Sequence, residues 1–138
     1  MRENPKLLVI LQNAYGVTEK RRKQLTTERL WLHGLWNSQT GKRLKEMLPS
    51  DLNIKIINAS PKIGCYADAL FPPDKKYLRH NINEFQLDVI LACGRIAQQG
   101  MNALDMPYMA APHPAWRLLS KIKTEEIKLT LIKQLNGE

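Results

Sequence analysis

The chain of 138 residues is 43% hydrophobic and 25% charged, which predicts one soluble globular domain over residues 1–138. Its net charge of +8 favours a polyanionic partner, most often nucleic acid, although a basic surface can also serve solubility alone. Two cysteines without a CxxC spacing exclude a disulfide framework and a zinc site, and the short N-terminal apolar run excludes a membrane span, so we expect a cytoplasmic protein without metal.

The first half of the chain predicts two strands and two helices. The continuous apolar run Leu7–Leu11 stops at polar Gln12, which is typical of a strand buried on both faces of a parallel sheet. Thr27–Leu35 has the apolar spacing of a helix, and Ser38 is a good N-cap for another helix that ends before the next proline. Ile54–Ile57 then predicts the second strand.

The second half continues the alternation of helices and strands. Asp74 predicts the cap of a helix, Val89–Cys93 predicts a third strand, and Arg95–Leu104 predicts a helix after it. A weaker strand, Tyr108–Ala111, precedes a final helix opened by Thr124. This order predicts an α/β fold, a three-layer α/β/α sandwich around a central four-stranded, mostly parallel sheet.

The segments that follow the predicted strands carry most of the chemistry. Ligands of open α/β sheets bind beyond the carboxyl ends of the strands, so these segments are expected to converge on one rim. They contain polar groups, one histidine, aromatic residues and cations, and comprise Gln12–Gly16, Asn58–Lys62, Gly94-Arg95 and His113–Arg117.

Five short segments of the chain match motifs of one enzyme family in the family's own order. Leu11–Tyr15 stands where the family has GQDPY or GINPG, and His113–Ala115 stands where it has HPS. Between them, Trp36–Gly41, Asn58 and Leu91–Ala97 match a stacking-aromatic segment, a base-reading asparagine and a strand–Gly–Lys/Arg–x–Ala step. On these residues the chain resembles the uracil-DNA glycosylase superfamily, and the resemblance implies that family's fold, no cofactor, DNA as partner and a monomer.

The resemblance gives two residues a role in cleaving the N-glycosidic bond. His113 would donate a hydrogen bond to the base oxygen as negative charge develops there, and Asn13 would hold the attacking water. The other interpretation of His113 is a structural histidine beside a proline turn.

Four further residues are implied to bind the extruded base. Gln12 belongs to the first motif, and Tyr15 would crowd the 5-position of the base, or pack on the next helix as a rim aromatic. Trp36 would stack on the base, or belong to the core. Asn58 would read the Watson–Crick edge, or serve as an ordinary turn residue.

Contacts with DNA are expected next to this pocket. Trp116 or Leu118 would wedge into the base stack, and the run Glu19–Lys23 is either a basic arm or a solvated loop. The residues expected to contact phosphates or the duplex are Ser60, Lys62, Arg95, Trp116 and Arg117.

Four positions depart from the family's motifs. Leu11 stands for a glycine, Ala14 for a proline, Asn13 for the aspartate of other branches, and Ala115 for the serine. Two functions therefore remain open: a DNA glycosylase acting on uracil or another modified pyrimidine, and a base-flipping or DNA-binding protein that keeps the pocket without hydrolysis. A nucleotide-binding α/β domain unrelated to DNA is a third interpretation, which the net charge disfavours.

Overall fold

The computed structural model describes residues 6–13, 18–50, 52–65, 71–84, 87–115 and 119–137. In this part of the chain strands and helices alternate, so the α/β class is confirmed. The elements are β1 (Lys6–Leu11), α1 (Glu19–Gln24), α2 (Glu28–Trp36), α3 (Gln39–Met47), β2 (Asn53–Asn58), α4 (Lys75–Glu84), β3 (Val89–Cys93), α5 (Arg95–Ala103), β4 (Met109–Ala111) and α6 (Lys121–Leu135).

The four strands form one sheet in the order β2-β1-β3-β4, and every pairing is parallel. The prediction of a mostly parallel sheet is therefore confirmed in a stricter form. At the carboxyl edge, Leu11 lies opposite Asn58 and Cys93 lies opposite Ala111. This register brings the ends of the four strands to the same edge of the sheet.

Side chains of β1 alternate between two separate cores, one on each face of the sheet. Leu7, Val9 and Leu11 pack with buried side chains of α3 and α6, beside α2. Leu8 and Ile10 pack with buried side chains of α4 and α5. Helices thus cover both faces, which explains the continuous apolar run and confirms the three-layer arrangement.

Two helices begin where their capping residues predict. The Ser38 hydroxyl accepts a hydrogen bond from the Gly41 amide at 3.1 Å, at the start of α3. Asp74 accepts one from the Tyr77 amide at 3.0 Å, just before α4. Cys93 is fully buried, as expected for a small apolar side chain, and burial raises the pKa of its thiol to about 12.

Two features of the helices differ from the prediction. The final helix does not open at Thr124: it begins at Lys121, because the Ser120 hydroxyl caps it by accepting from the Lys123 amide at 3.1 Å. The run Glu19–Lys23 is neither an arm nor a loop but most of α1, where the Thr18 hydroxyl serves as the cap.

Candidate functional site

A cleft of about 500 Å³ opens beyond the carboxyl ends of the strands. It lies where the winding of the sheet reverses, since the helices between β1 and β2 cover one face and the two that follow β2 and β3 cover the other. Its walls come from three strand ends and from α1–α3, and comprise Leu11, Gln12, Asn13, Thr18, Arg21, Leu25, Trp31, Gly34, Leu35, Ser38, Thr40, Asn58 and His113.

Four residues predicted from the sequence meet in this cleft: Gln12, Asn13, Asn58 and His113. The pairing of β1 with β2 continues past the sheet, because the Ser60 amide donates to the Gln12 carbonyl at 3.2 Å. The two asparagines therefore lie at the carboxyl ends of adjacent strands, and Asn13 has its side-chain oxygen buried. Amide groups can both donate and accept hydrogen bonds, as the edge of a base requires.

His113 is held as a neutral hydrogen-bond donor. Its Nδ1 accepts a hydrogen bond from the Ala115 amide at 3.0 Å, so the proton of the neutral ring belongs on Nε2. Burial lowers the pKa of His113 from 6.5 to about 4, because an imidazolium would be poorly solvated there. At neutral pH the ring is therefore uncharged and has an Nε2–H to offer to a ligand.

The turn between β3 and α5 packs against this histidine. Gly94 has a φ of +90°, and a Cβ at this position would lie 3.2 Å from the His113 Cβ and 3.7 Å from Gln12 Nε2. The Gly94 amide donates to the Ala111 carbonyl at 2.8 Å, and Gln98 Nε2 donates to the same oxygen at 3.0 Å. These contacts fix the end of β4, two residues before His113.

The loop after His113 is also anchored. Pro114 is fully buried, and its carbonyl accepts a hydrogen bond from Arg43 Nη1 of α3 at 3.4 Å. Because α3 and the β3–α5 turn hold the two sides of this segment, the imidazole has a defined place in the cleft.

The sequence interpretation did not place Trp31 or Arg21 in the cleft, and it expected the run that contains Arg21 to be a basic arm or a solvated loop. Trp31 lines the cleft, and so does Arg21, whose Nη1 donates to the Gln24 side chain at 3.3 Å. The Arg21 guanidinium lies against the bare backbone of Gly34, where a Cβ would collide with it. The only signals in the sequence were a glycine between His33 and Leu35 of α2 and the basic run Glu19–Lys23.

Two predicted site residues lie elsewhere. Trp36 is outside the cleft, because it follows Leu35 by about 100° around α2 and lines a different groove. Ser60 is only 2% exposed, and its hydroxyl accepts from the Lys62 amide at 3.2 Å, so it stabilises a turn and is not available to a phosphate. Neither residue therefore lines the cleft in this structure.

The remaining predicted contacts with DNA are exposed or undescribed. Lys62 is exposed, with its Nζ 5.8 Å from the centre of the Phe71 ring, and Arg95 is exposed at the start of α5. Three predicted residues and the second wedge candidate fall outside the described residues, namely Tyr15, Trp116, Arg117 and Leu118.

Comparison with known proteins gives no relative: no family model, curated protein or solved structure matches the chain. Within the described ranges, no helix is long and apolar enough to cross a membrane. No group of three or more His, Cys, Asp or Glu side chains that could hold a metal ion occurs in that same part of the chain. The chemistry of the cleft is therefore the basis for a functional proposal.

Proposed function

We propose that this protein binds an extruded DNA base in the cleft and hydrolyses its N-glycosidic bond, as members of the uracil-DNA glycosylase superfamily do. The observation that carries the proposal is the meeting of a neutral His113 with three amide side chains, those of Gln12, Asn13 and Asn58, in one cleft. The three-layer fold supports it, because open α/β sheets bind ligands at this edge.

The cleft has the size and composition that a nucleobase needs. Its volume of about 500 Å³ is within the usual range for small-ligand sites. Trp31 offers an aromatic wall on which a base can stack, in place of Trp36, and Asn58 offers a donor and an acceptor to a base edge. Stacking of this kind contributes roughly 1–3 kcal/mol per base.

His113 supplies the electrophilic part of the reaction. When the bond between sugar and base breaks, its electron pair leaves with the base and negative charge develops on the base oxygen. The Nε2–H of His113 stabilises this charge by a hydrogen bond, and the low pKa keeps the ring from adding a permanent positive charge to the resting cleft. Loss of one such donor typically slows a reaction by roughly 100- to 1,000-fold.

Asn13 supplies the nucleophilic part. Its side chain lines the cleft, and its oxygen, which is buried in this structure, would turn towards the cleft to accept a hydrogen bond from the attacking water and aim the water oxygen at the sugar carbon. The water oxygen bonds to this carbon, the base departs as an anion, and the displaced proton passes to solvent. The neutral amide orients the water but does not stabilise the positive charge of the sugar as a carboxylate would.

Cations near the cleft fit a nucleic-acid backbone. Arg21 lines the cleft itself, and Lys62 and Arg95 are exposed on the segments that follow β2 and β3. Phosphate contacts release condensed counterions, so binding of DNA is expected to weaken steeply as salt rises.

A second function, base binding without hydrolysis, is favoured by one feature of the cleft. The described residues that line it include no aspartate or glutamate. A protein with this cleft would hold an extruded base through the same amides and histidine, and the bond would stay intact.

Base release from oligonucleotides carrying uracil or 5-hydroxymethyluracil, single- and double-stranded, separates the two functions. We expect abasic sites with the wild-type chain, and a loss of about 100-fold or more in rate with His113→Ala or Asn13→Ala. His80→Ala, which removes an exposed histidine of α4, is the matched control and should act like wild type. Salt-sensitive binding of DNA with no abasic sites would establish the second function. If the protein neither binds the oligonucleotides nor releases a base, both functions are refuted.

A further inference from the structure

Trp36, which the cleft does not use, lines a separate groove of about 530 Å³. The groove runs beside α3, with apolar walls that include Leu48 and Ile54 and two lysines, Lys45 of α3 and Lys128 of α6. None of its lining residues is shared with the cleft. It is therefore a second concave surface, built from helices and the first residues of β2.

The indole of Trp36 is a large aromatic group at the surface, 37% exposed. Its backbone is held by close helix packing, because a Cβ on Gly41 would lie 2.9 Å from the Trp36 Cα and would collide with the Leu35 carbonyl. Because this backbone is already fixed, stacking of a flat molecule on the indole does not require the backbone of the corner to be ordered. Exposed apolar surface in a concave setting marks a binding site more often than scattered surface residues do.

The two lysines give this groove a charge preference. In the part of the chain that the structure describes, neither Lys45 nor Lys128 takes part in an ion pair, whereas Lys123 on the same α6 pairs with Glu126 at 3.9 Å. No aspartate or glutamate occurs among the described residues that line the groove. The groove therefore combines apolar walls with two ammonium groups, and the described residues that line it include no carboxylate.

We propose that this groove binds a small anion with a flat aromatic body, which stacks on Trp36 while Lys45 and Lys128 attract its carboxylate or sulfonate. The apolar walls favour an uncharged body, and the exposed indole favours an aromatic one, because offset ring stacking adds to simple burial of area. The proposal is independent of the function of the cleft.

Binding of 2-naphthoate to ¹⁵N-labelled protein, followed by NMR, tests the groove directly. We expect the indole N–H signal of Trp36 to shift together with the amides of Leu48 and Ile54, and the signals of His113 to stay in place. The Trp36 signal is assigned by its loss in Trp36→Leu, which keeps an apolar side chain and removes the ring. Naphthalene-2-methanol serves as the uncharged probe and decanoate as the anion without a ring.

Each substitution of a groove residue should weaken the binding of 2-naphthoate by a measurable factor. Lys45→Gln and Lys128→Gln are each expected to raise Kd about threefold, which is typical of exposed charge pairs, and Trp36→Leu about fivefold. Lys133→Gln, an exposed lysine of α6 outside the groove, is the control that should leave Kd unchanged. Thermal unfolding of every variant establishes that it is folded.

The proposal is overturned if 2-naphthoate leaves the Trp36 signal unmoved in folded protein. It is equally overturned if naphthalene-2-methanol binds as tightly as 2-naphthoate, because the lysines would then contribute nothing. Equal binding of decanoate would refute the aromatic preference. The proposal is supported if naphthalene-2-methanol and decanoate both bind more weakly than 2-naphthoate, and if affinity falls in Lys45→Gln, Lys128→Gln and Trp36→Leu but not in Lys133→Gln.

Discussion

The cleft and the groove meet at the corner between α2 and α3 but are built in different ways. The cleft takes its polar groups from strand ends, where backbone hydrogen bonds and close packing fix His113 and its neighbours. The groove takes its charges from two long lysine side chains on helix surfaces. Fixed donors suit a developing charge in a reaction, whereas mobile cations suit loose attraction of an anion.

The same corner also divides neighbouring residues between the two sites. Leu35 and Ser38 line the cleft, while Trp36, which lies between them in sequence, lines the groove. Gly41 lets the start of α3 approach the Leu35 carbonyl and the Trp36 Cα closely, next to the residues of α2 that line the two sites. A change at this corner should therefore affect both sites, and a change deeper in either site should affect one.

The largest expected difference between the two sites is their response to acid. The folded chain protonates His113 only near its pKa of about 4, while the unfolded chain does so near 6.5, so the unfolded state binds more protons between these values. The free energy of unfolding should fall as pH drops from 6.5 to 4, by about 3 kcal/mol from this group.

Chemical denaturation at pH 7 and pH 4 measures this effect. His113→Gln should lose about 3 kcal/mol less than wild type over the interval, and His80→Gln should keep the wild-type sensitivity due to His113. The indole signal of Trp36 should change little between pH 7 and pH 5, because the described groove residues include neither histidine nor carboxylate. Equal acid sensitivity in wild type and His113→Gln would contradict the buried neutral state.

A pair of glycine substitutions should separate the shared corner from the cleft. Gly41→Ala places a Cβ against the Leu35 carbonyl, a backbone atom, and should lower the free energy of unfolding by about 1–3 kcal/mol. Gly34→Ala meets only the end of the flexible Arg21 side chain, so it should be neutral or stabilising by up to about 1 kcal/mol.

The NMR spectra of the two variants show which of the two sites each substitution perturbs. Gly41→Ala should shift the signals of both Trp31 and Trp36, while Gly34→Ala should shift Trp31, beside the displaced Arg21, and leave Trp36 unchanged. If Gly34→Ala destabilises as much as Gly41→Ala, the close packing at the corner is not what joins the two sites.

Local patterns were enough to predict the sheet and most helix starts. The apolar run of β3 has the predicted bounds Val89–Cys93, and Ser38 and Asp74 cap the helices that follow them. These features depend on residues close in sequence, such as a hydroxyl or carboxylate and an amide three positions later. Because all strands end at one edge, the meeting of Asn13 and His113 in one cleft was also predictable.

Assignments that depend on packing between helices were not predictable in this way. Whether Trp31 or Trp36 lines the cleft depends on how α2 packs against Gly41 of α3. No pattern of residues close in sequence encodes that contact. Ser60 is buried because its amide pairs with the Gln12 carbonyl, a contact between distant segments. Arg21 belongs to α1, whose six residues are too few and too polar to show an apolar face.

The smallest expected effect concerns Gln98, which ties together the ends of β3 and β4. Its Nε2 donates to the Ala111 carbonyl at 3.0 Å and reaches the Ala92 carbonyl at 3.4 Å. Gln98→Leu keeps the volume and removes the donor, and because the Gly94 amide still bonds Ala111, the free energy of unfolding should fall by only about 1 kcal/mol.

Gln98→Leu should nevertheless change the NMR signals of the cleft and leave those of the groove unchanged. Looser anchoring of β4 shifts the ring signals of His113, two residues beyond Ala111, while the indole signal of Trp36 stays in place. Gln99→Leu, an exposed neighbour on α5, should change stability by less than about 0.5 kcal/mol and leave both signals unchanged. Matching His113 shifts in the two variants would mean that α5 influences the cleft through its general packing, and that the hydrogen bond of Gln98 does not position the histidine.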